Sequence, residues 1–346
     1  MRDLTRAEAR RWRHASQLLA GSDLSPAEVV DRAVGLQGQN LPGVLRAIAM
    51  RSRPGTTIDD VKAAFDRGEI VRSWLVRGTL FATTPAHLST LLALTSERIH
   101  RSAAKRRQEL GLDDAVLAAA REIGLRMIGA GPGDGPTRAE LLEAWNEAGI
   151  ETDGGRGYHL IFHHGVGGAW HWGAFRGNQQ VLAAPPTAPR AAADGELVDI
   201  VRRLVAARAP MSGDDIAWWL KLPKTQVRRA AAEAGLTEVA VEGAPAWVVG
   251  DEPGDAAPGI TLAPSFDEWI LGYADRSLTA SDRMLSAVLP GKNGVFRPVV
   301  LVDGVTVGTW QGRSQANREP SFELVERVPA ATKKRIAAAL ERWPLA

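Results

Sequence analysis

Helix starts followed by short β-hairpins recur along this chain, and this order constrains the fold more than any other feature of the sequence. The residues Ser25-Pro26-Ala27-Glu28 form a capped helix start, and the apolar positions that follow have helical spacing. We expect this helix to end near Gly38, before Pro42. A second helix over residues 58–67 leads into a predicted hairpin over residues 70–81. Helices followed by a hairpin are the order of a winged helix.

The same order is predicted a second time in the middle of the chain. Thr137-Arg138-Ala139-Glu140 has the residues of a capping box, and a further helix is expected around Tyr158 and Phe162. A glycine-spaced aromatic stretch over residues 165–173, together with residues 179–182, then predicts a hairpin.

A third set follows a proline-rich break at residues 183–189. It consists of a helix over residues 196–207, a helix-turn-helix over residues 214–234 and a hairpin over residues 239–249. No strict sequence repeat accompanies the three sets, so their similarity is architectural.

The last part of the chain has a different pattern. Residues 257–313 are rich in strand formers, and Asp303-Gly304 between two apolar runs predicts a type I′ hairpin. We expect a small β-barrel or sheet here, then a strand over residues 321–328 and a helix from Ala330 to about Trp343. The chain is therefore predicted to be an α+β protein, and a length of 346 residues suits several domains. The predicted boundaries are 1–110, 111–188 and 189–252 for the three helix-and-hairpin sets and 253–346 for the β-rich region.

The composition excludes several classes of protein. The chain has no cysteine, which excludes disulfides, thiol nucleophiles and cysteine zinc sites. It has no run of about 18 apolar residues, so no membrane span is predicted. The N-terminus lacks the apolar region of a secretory signal, and we expect a cytoplasmic protein.

Positive charge is concentrated in the first third of the chain. Residues 1–107 carry 18 basic and 10 acidic side chains, whereas the rest of the chain carries 24 and 30. A basic segment favours an anionic partner, and nucleic acid is the commonest one. Of the 42 cationic residues 35 are arginine, whose fork suits phosphate. A GC-rich genome would produce the same excess of arginine, and the sequence leaves this alternative open.

The two glutamines of Gln37-Gly38-Gln39 are the most informative local feature. On an α-helix, side chains two residues apart point about 200° away from each other. On an extended backbone they face the same side, and Gly38 permits that change of conformation. Two amide side chains can therefore converge just past a helix end. The alternative is an ordinary polar helix exit whose side chains satisfy terminal carbonyls.

At these residues the sequence resembles the AlkZ-type DNA glycosylases, a family also described as winged-helix DNA-binding proteins. Gln37-Gly38-Gln39 matches the family's glutamine–X–glutamine motif. Residues 265–276 and 295–310 resemble later blocks of the family, so the resemblance is collinear over nearly the whole chain. The family's Arg-x-Trp-x-x-Arg-Gly-Thr hallmark is matched by Arg72, Trp74, Arg77, Gly78 and Thr79.

The resemblance implies three winged helices around a small β-barrel, with a concave basic face for duplex DNA. It implies a monomeric, monofunctional glycosylase that releases N7-alkylated guanine and unhooks azinomycin-type interstrand crosslinks. By the same resemblance Gln37 and Gln39 are the catalytic residues. No cofactor or metal is predicted. An N7-alkylated guanine is cationic and leaves as a neutral base, so amides that hold and direct a water suffice, without a strong general acid.

Arginines and a lysine of the first predicted domain are the candidate DNA contacts. They lie at helical spacing or in the hallmark, and such contacts position a protein on phosphates without reading sequence. The alternative is a solvated helix face. The candidates are Arg10, Arg13, Arg77, Arg98, Arg101 and Lys105.

Two other groups of residues invite different chemistry. His159 and His163 are spaced as metal ligands on a helix, but no carboxylate motif accompanies them, and packing or DNA contact is the favoured interpretation. Asp267 and Glu268 would suit a conventional acid–base glycosylase, yet we expect them to be structural. The alternative functions are a non-catalytic winged-helix transcriptional regulator and a protein that sequesters a drug.

Overall fold

The chain folds into two compact units. The structure, a computed structural model, describes residues 1–131, 133–185, 189–253, 259–291, 294–312 and 319–342. Unit 1 comprises Met1–Ile58 and Leu197–Ala346, and unit 2 comprises Asp59–Glu196. The predicted first domain thus contributes to both units. The division of the chain into the four predicted domains remains a prediction.

The N-terminal part of unit 1 contains the predicted first helix and a helix that the sequence analysis missed. Its elements are β1 (Arg2–Leu4), α1 (Arg6–Ser16), α2 (Pro26–Ala33), β2 (Leu36–Gln37) and α3 (Leu41–Ala49). The capping box of Ser25 and Glu28 at the start of α2 is confirmed. The expected end near Gly38 is wrong, because Val34 adopts a φ of 64° and ends the helix there. Pro42 does not stop a helix but lies in the first turn of α3, where its missing N–H costs nothing.

The third predicted set is confirmed as a series of elements. Its members are α9 (Glu196–Arg208), α10 (Gly213–Leu220), α11 (Lys224–Glu233), β7 (Thr237–Val241) and β8 (Ala244–Val248). The hairpin of β7 and β8 gains a third strand, because β1 pairs with β7 in parallel. Leu4 at the end of that strand is buried, so the N-terminus is tied into the unit by packing as well as by hydrogen bonds.

The β-rich region of unit 1 is an open sheet, and the expected barrel is not found in the described part of the chain. Its antiparallel strands lie in the order β12–β11–β10–β9. Helices cover both faces: Val299 and Leu301 pack with Trp269 on one side, and Val300 packs with Ile336 on the other. A sheet with helices on both faces buries its apolar side chains without closing. The elements are β9 (Ile260–Ala263), α12 (Glu268–Leu271), α13 (Asp282–Val288), β10 (Val299–Val302), β11 (Val305–Gln311), β12 (Ser321–Leu324) and α14 (Ala330–Glu341).

The Asp303-Gly304 hairpin between β10 and β11 is confirmed, with positive φ at both residues as a type I′ turn requires. The predicted C-terminal helix is confirmed as α14. Its expected last residue, Trp343, lies outside the described residues.

Unit 2 joins two predicted hairpins into one sheet. Its elements are α4 (Ile58–Asp66), β3 (Val71–Leu75), β4 (Thr79–Thr83), α5 (Pro85–Glu109), α6 (Asp114–Met127), α7 (Arg138–Glu147), α8 (Arg156–Val166), β5 (His171–Arg176) and β6 (Gln179–Ala183). The strands β4, β3, β5 and β6 are antiparallel neighbours in that order, and Arg72 opposite Trp172 links the hairpins. Trp74, Trp145 and Trp170 form the centre of the core. Residues 186–188 of the predicted proline-rich break lie outside the described residues.

No helix in the described ranges combines the length and the apolar character needed to cross a membrane.

Candidate functional site

The paired glutamines lie between α2 and α3, where the backbone is not helical. Leu36 and Gln37 are extended, and Gln39 lies in a bend before α3 begins. Gln37 is 7% exposed, whereas Gln39 is exposed. The non-helical backbone on which convergence of the two amides depends is therefore present. The two side chains differ in accessibility, with Gln37 held in the protein and Gln39 open to solvent.

Both ends of this segment are fixed by local interactions. Val34 is fully buried with its φ at 64°, a conformation that is unusual for a β-branched residue. At the other end the side chain of Asn40 accepts a hydrogen bond from the Gly43 N–H at 2.7 Å and caps α3. Gly43 lies so close to Ser265 that a Cβ would meet its carbonyl oxygen at 2.8 Å. A side chain at position 43 would therefore displace the start of α3.

Two consecutive carboxylates, Asp267 and Glu268, form buried ion pairs in the same unit. Arg51 binds both oxygens of Asp267 at 2.9 Å. Arg208 binds Oε2 of Glu268 at 3.1 Å, and all four side chains are almost completely buried. The expectation that Asp267 and Glu268 are structural is confirmed by these contacts. Trp219 also donates its indole N–H to Oε2 of Glu268, at 2.8 Å.

Arg10 and Arg13, which were predicted to bind phosphate from α1, have different surroundings. Arg10 is partly exposed and donates to the carbonyl oxygen of Leu278 at 3.4 Å. Arg13 is 5% exposed, and its guanidinium carbon lies 3.5 Å from the ring centre of Tyr273. Its Nη2 is 3.8 Å from Asp215. A guanidinium enclosed in this way offers little surface to a phosphate, so the structure favours an internal role for Arg13 over the expected DNA contact.

The ring that Arg13 covers is part of the same buried network. The hydroxyl of Tyr273 donates to the carbonyl oxygen of Arg208 at 2.8 Å and accepts from the Gln17 amide at 2.9 Å. Burial raises the pKa of Tyr273 to about 12, so it is a neutral hydrogen-bonding group at physiological pH.

The remaining candidate DNA contacts lie in unit 2. Arg98 donates to the carbonyl oxygen of Val76 in the turn between β3 and β4. Val76 is the chain neighbour of Arg77. The guanidinium carbon of Arg77 is 5.0 Å from the ring centre of Phe81. Arg101 pairs with Glu97 one turn away on α5, and Lys105 is exposed. The side chain of Arg101 is 72% exposed. The structure therefore keeps Arg101 and Lys105 accessible and ties Arg98 to the hairpin.

The hallmark residues Arg72 and Trp74 serve the interior of unit 2. Trp74 is 2% exposed and packs edge-on against Tyr158 and Phe162, so it is a core residue that joins β3 to α8. Arg72 donates to the side-chain oxygen of Gln180 at 2.6 Å, and burial lowers its pKa to about 10. Arg72 thus stabilises the junction of the two hairpins.

The histidines of unit 2 pack together. His100 and His163 have ring centres 4.5 Å apart, and His164 packs edge-on against Trp170. Burial lowers the pKa of His163 to about 3 and that of His164 to about 4, so both rings are neutral at physiological pH. Within the described residues no three His, Asp or Glu side chains are arranged to hold a metal ion.

Comparison with known proteins identifies the class. The family model for AlkZ-like DNA glycosylases matches residues 30–344, so this chain belongs to the AlkZ-like DNA glycosylase family. A curated relative from Streptomyces sahachiroi, an interstrand DNA cross-link repair glycosylase, is 24% identical over 96% of this chain and 94% of its own length. The solved structure of the Streptomyces sahachiroi DNA glycosylase AlkZ has the same fold. It superposes with a TM-score of 0.79 at 22% identity and covers 99% of this chain and 97% of that one.

Sequence reasoning missed one residue that contacts the backbone just before the glutamines. Arg208 donates to the carbonyl oxygens of Ala33 and Gly35, 2.9 and 2.7 Å away. Gly35 lies 173 residues before Arg208 in the chain, and all of unit 2 lies between them. No local pattern marks such a contact, because it is made only when distant segments pack together.

Proposed function

We propose that this protein is a monofunctional DNA glycosylase that hydrolyses the N-glycosidic bond of N7-alkylguanine in duplex DNA and unhooks azinomycin-type interstrand crosslinks. Membership of the AlkZ-like family supports a glycosylase, and the name of the Streptomyces relative supports crosslinked DNA as the substrate. The observation that carries the proposal is the non-helical backbone of Gln37-Gly38-Gln39, fixed at both ends. Family membership also favours an enzyme over the transcriptional regulator.

Hydrolysis of this glycosidic bond does not require a strong general acid. Alkylation makes the guanine ring cationic, so the base keeps the electron pair of the broken C1′–N9 bond and leaves as a neutral molecule. A water molecule forms the new bond to C1′ and releases its proton to solvent. Gln37 and Gln39 are not basic, but their carbonyl oxygens accept hydrogen bonds from water and their amide groups donate them. Catalysis then comes from positioning and preorganised dipoles.

An open site suits a crosslinked base. A guanine tethered to the opposite strand cannot rotate freely into a closed pocket. The cavity that borders Leu36, Arg51 and Arg208 has a volume of about 20 Å³, which is room for about one water and far too small for a purine. The exposed side of the segment, at Gln39, is therefore the side on which we place the damaged nucleotide.

DNA binding is proposed for basic residues of both units. We assign phosphate contacts to Arg10, Arg77, Arg98, Arg101 and Lys105 and omit the buried Arg13. The three helix-and-hairpin sets would act as winged helices, and the enzyme would work as a monomer on DNA in the cytoplasm without a cofactor.

The test is single-turnover base release from a duplex that contains one N7-methylguanine, followed by hot alkali to cut abasic sites. Gln37→Ala and Gln39→Ala should each lower the rate constant by about 10²–10³-fold, as loss of a preorganised hydrogen-bonding group does elsewhere. The dissociation constant for the duplex should change little. Gln226→Ala on the exposed face of α11 is the matched control.

Full activity of the double variant Q37A/Q39A would refute the assignment. A wild-type protein that binds the duplex but leaves no alkali-labile site would favour a regulator. Binding of the free drug without base release would favour sequestration.

A further inference from the structure

One buried arginine from the third helix-and-hairpin set contacts the backbone just before Gln37-Gly38-Gln39. Arg208 is 1% exposed and lies at the end of α9. Its Nη1 donates to the carbonyl oxygen of Ala33 at 2.9 Å, and its Nη2 donates to that of Gly35 at 2.7 Å. Both distances are those of strong charge-assisted hydrogen bonds. One rigid fork thus holds the carbonyl groups of the two residues that flank Val34.

Val34 is the residue that needs such a restraint. Its φ of 64° is sterically unfavourable for a β-branched side chain and persists only where the surroundings enforce it. This conformation ends α2 and turns the chain into the extended segment that contains Gln37. If Val34 relaxed to an ordinary φ, the direction of the following residues would change.

Arg208 is itself fixed by Glu268 and Trp219. Oε2 of Glu268 accepts a hydrogen bond from Nε at 3.1 Å and forms an ion pair with Nη2 at the same distance. The ring of Trp219 lies against the guanidinium, with its centre 4.8 Å from the central carbon, and Trp219 also donates to Glu268. The side chain of Arg208 therefore has one available orientation, and Glu268 and Trp219 determine it.

The chain contains a closely matched second arginine that does not touch the segment. Arg51 is 2% exposed and pairs with Asp267, the neighbour of Glu268. It too donates to two carbonyl oxygens, those of Gln17 and Ala47, both at 2.9 Å. Both arginines are buried and pair with a carboxylate, but Arg51 binds both oxygens of Asp267 and holds carbonyl groups away from the glutamines.

From this arrangement we infer that Arg208, oriented by Glu268, is a positioning residue for Gln37-Gly38-Gln39. The inference rests on the proposed catalytic role of those glutamines. In this proposal Arg208 acts on the glutamines through the backbone and not on the substrate. It holds the peptide groups at positions 33 and 35 so that the amide groups of Gln37 and Gln39 keep the geometry that water activation requires.

The experiment compares Arg208→Lys with Arg51→Lys in the full-length protein. Both variants replace a buried guanidinium group by an ammonium group, so their melting temperatures should fall by similar amounts. Only Arg208→Lys should lower the single-turnover rate constant for N7-methylguanine release, by about 10–10²-fold, because small displacements of catalytic groups have effects of that size. Its dissociation constant for the duplex should stay near the wild-type value. Hydrogen–deuterium exchange of peptides covering residues 34–40 should accelerate in Arg208→Lys and not in Arg51→Lys.

A merely structural role predicts equal rate constants for the folded fractions of the two variants and unchanged exchange at residues 34–40, and that result would overturn the inference. If Arg208→Lys does not fold, Glu268→Gln against Asp267→Asn makes the same comparison with isosteric side chains. The exchange measurement does not depend on activity. If the wild-type protein releases no base but exchange at residues 34–40 accelerates in Arg208→Lys, the proposed function fails. The restraint that Arg208 places on the backbone is then still supported.

Discussion

Basic side chains have different surroundings and roles in the interior of unit 1 and on helix α5 of unit 2. In unit 1 the guanidinium groups of Arg13, Arg51 and Arg208 are buried against carboxylates, aromatic rings and backbone carbonyls. On α5, Arg101 and Lys105 project into solvent. The same charge therefore stabilises a backbone conformation in one unit and supplies an electrostatic surface in the other. Positive charge in a sequence does not by itself indicate DNA binding.

The physical basis of this difference is the planar fork of arginine. It makes several directed hydrogen bonds at once, so a buried arginine can hold distant carbonyl groups that a lysine could not hold together. On a surface the same fork offers little beyond its charge, because solvent screens it. Replacement of Arg13 and neutralisation of the charges on α5 test this division, and a further prediction concerns the buried histidines of unit 2.

Replacement of Arg13 should have the largest effect, and it should be on stability. Arg13→Met leaves Asp215 buried without its cation and should lower the free energy of unfolding by about 3 kcal/mol. Chemical denaturation measures this change. Arg11→Met, at the exposed neighbouring position, is the control and should leave stability unchanged. Weakened DNA binding at unchanged stability would restore Arg13 to the DNA surface.

The stability of unit 2 should depend on pH through its buried histidines. His164 has a folded-state pKa of about 4, below its ordinary value of 6.5, because burial disfavours the charged ring. The unfolded chain therefore takes up a proton at His164 before the folded chain does. The contribution of neutral His164 to the free energy of unfolding is complete above about pH 6.5 and is lost progressively as the pH falls towards 4.

Between pH 7 and pH 5 this loss should amount to about 1–2 kcal/mol for His164. Denaturation of the wild type and of His164→Gln at both pH values isolates the contribution from that of the carboxylates. A variant whose stability falls as steeply as that of the wild type would show that His164 is not the group responsible.

Neutralisation of the exposed charges on α5 should have the smallest effect, and it should be on DNA affinity alone. Arg101→Gln and Lys105→Gln should each weaken duplex binding a few-fold and reduce the slope of log K against log salt by about 1. Arg126→Gln on α6 is the matched control, because Arg126 forms the same kind of exposed i,i+4 ion pair as Arg101. Equal slopes for Arg101→Gln and Arg126→Gln would remove Arg101 from the DNA surface.

Local signals in the sequence predicted most of the helices and hairpins. The capping boxes at Ser25 and Thr137 and the Asp303-Gly304 turn lie where the structure has them, because each depends on residues a few positions apart. The pattern did not predict α3, because proline commonly follows the end of a helix. Pro42 instead lies in the first turn of a helix that Asn40 caps. The closed barrel was wrong because helices on both faces already bury the sheet.

The candidate site shows the same division. The Gln37-Gly38-Gln39 spacing by itself allowed an amide pair on a non-helical segment, since side-chain direction follows from local backbone geometry, and the resemblance to the family's glutamine motif made that pair the candidate site. Only the tertiary structure decided that Gln37 is buried, that Arg13 is internal and that Arg208 holds the peptide groups around Val34. Those facts depend on contacts between residues far apart in the chain, and burial and desolvation exist only after the chain has folded.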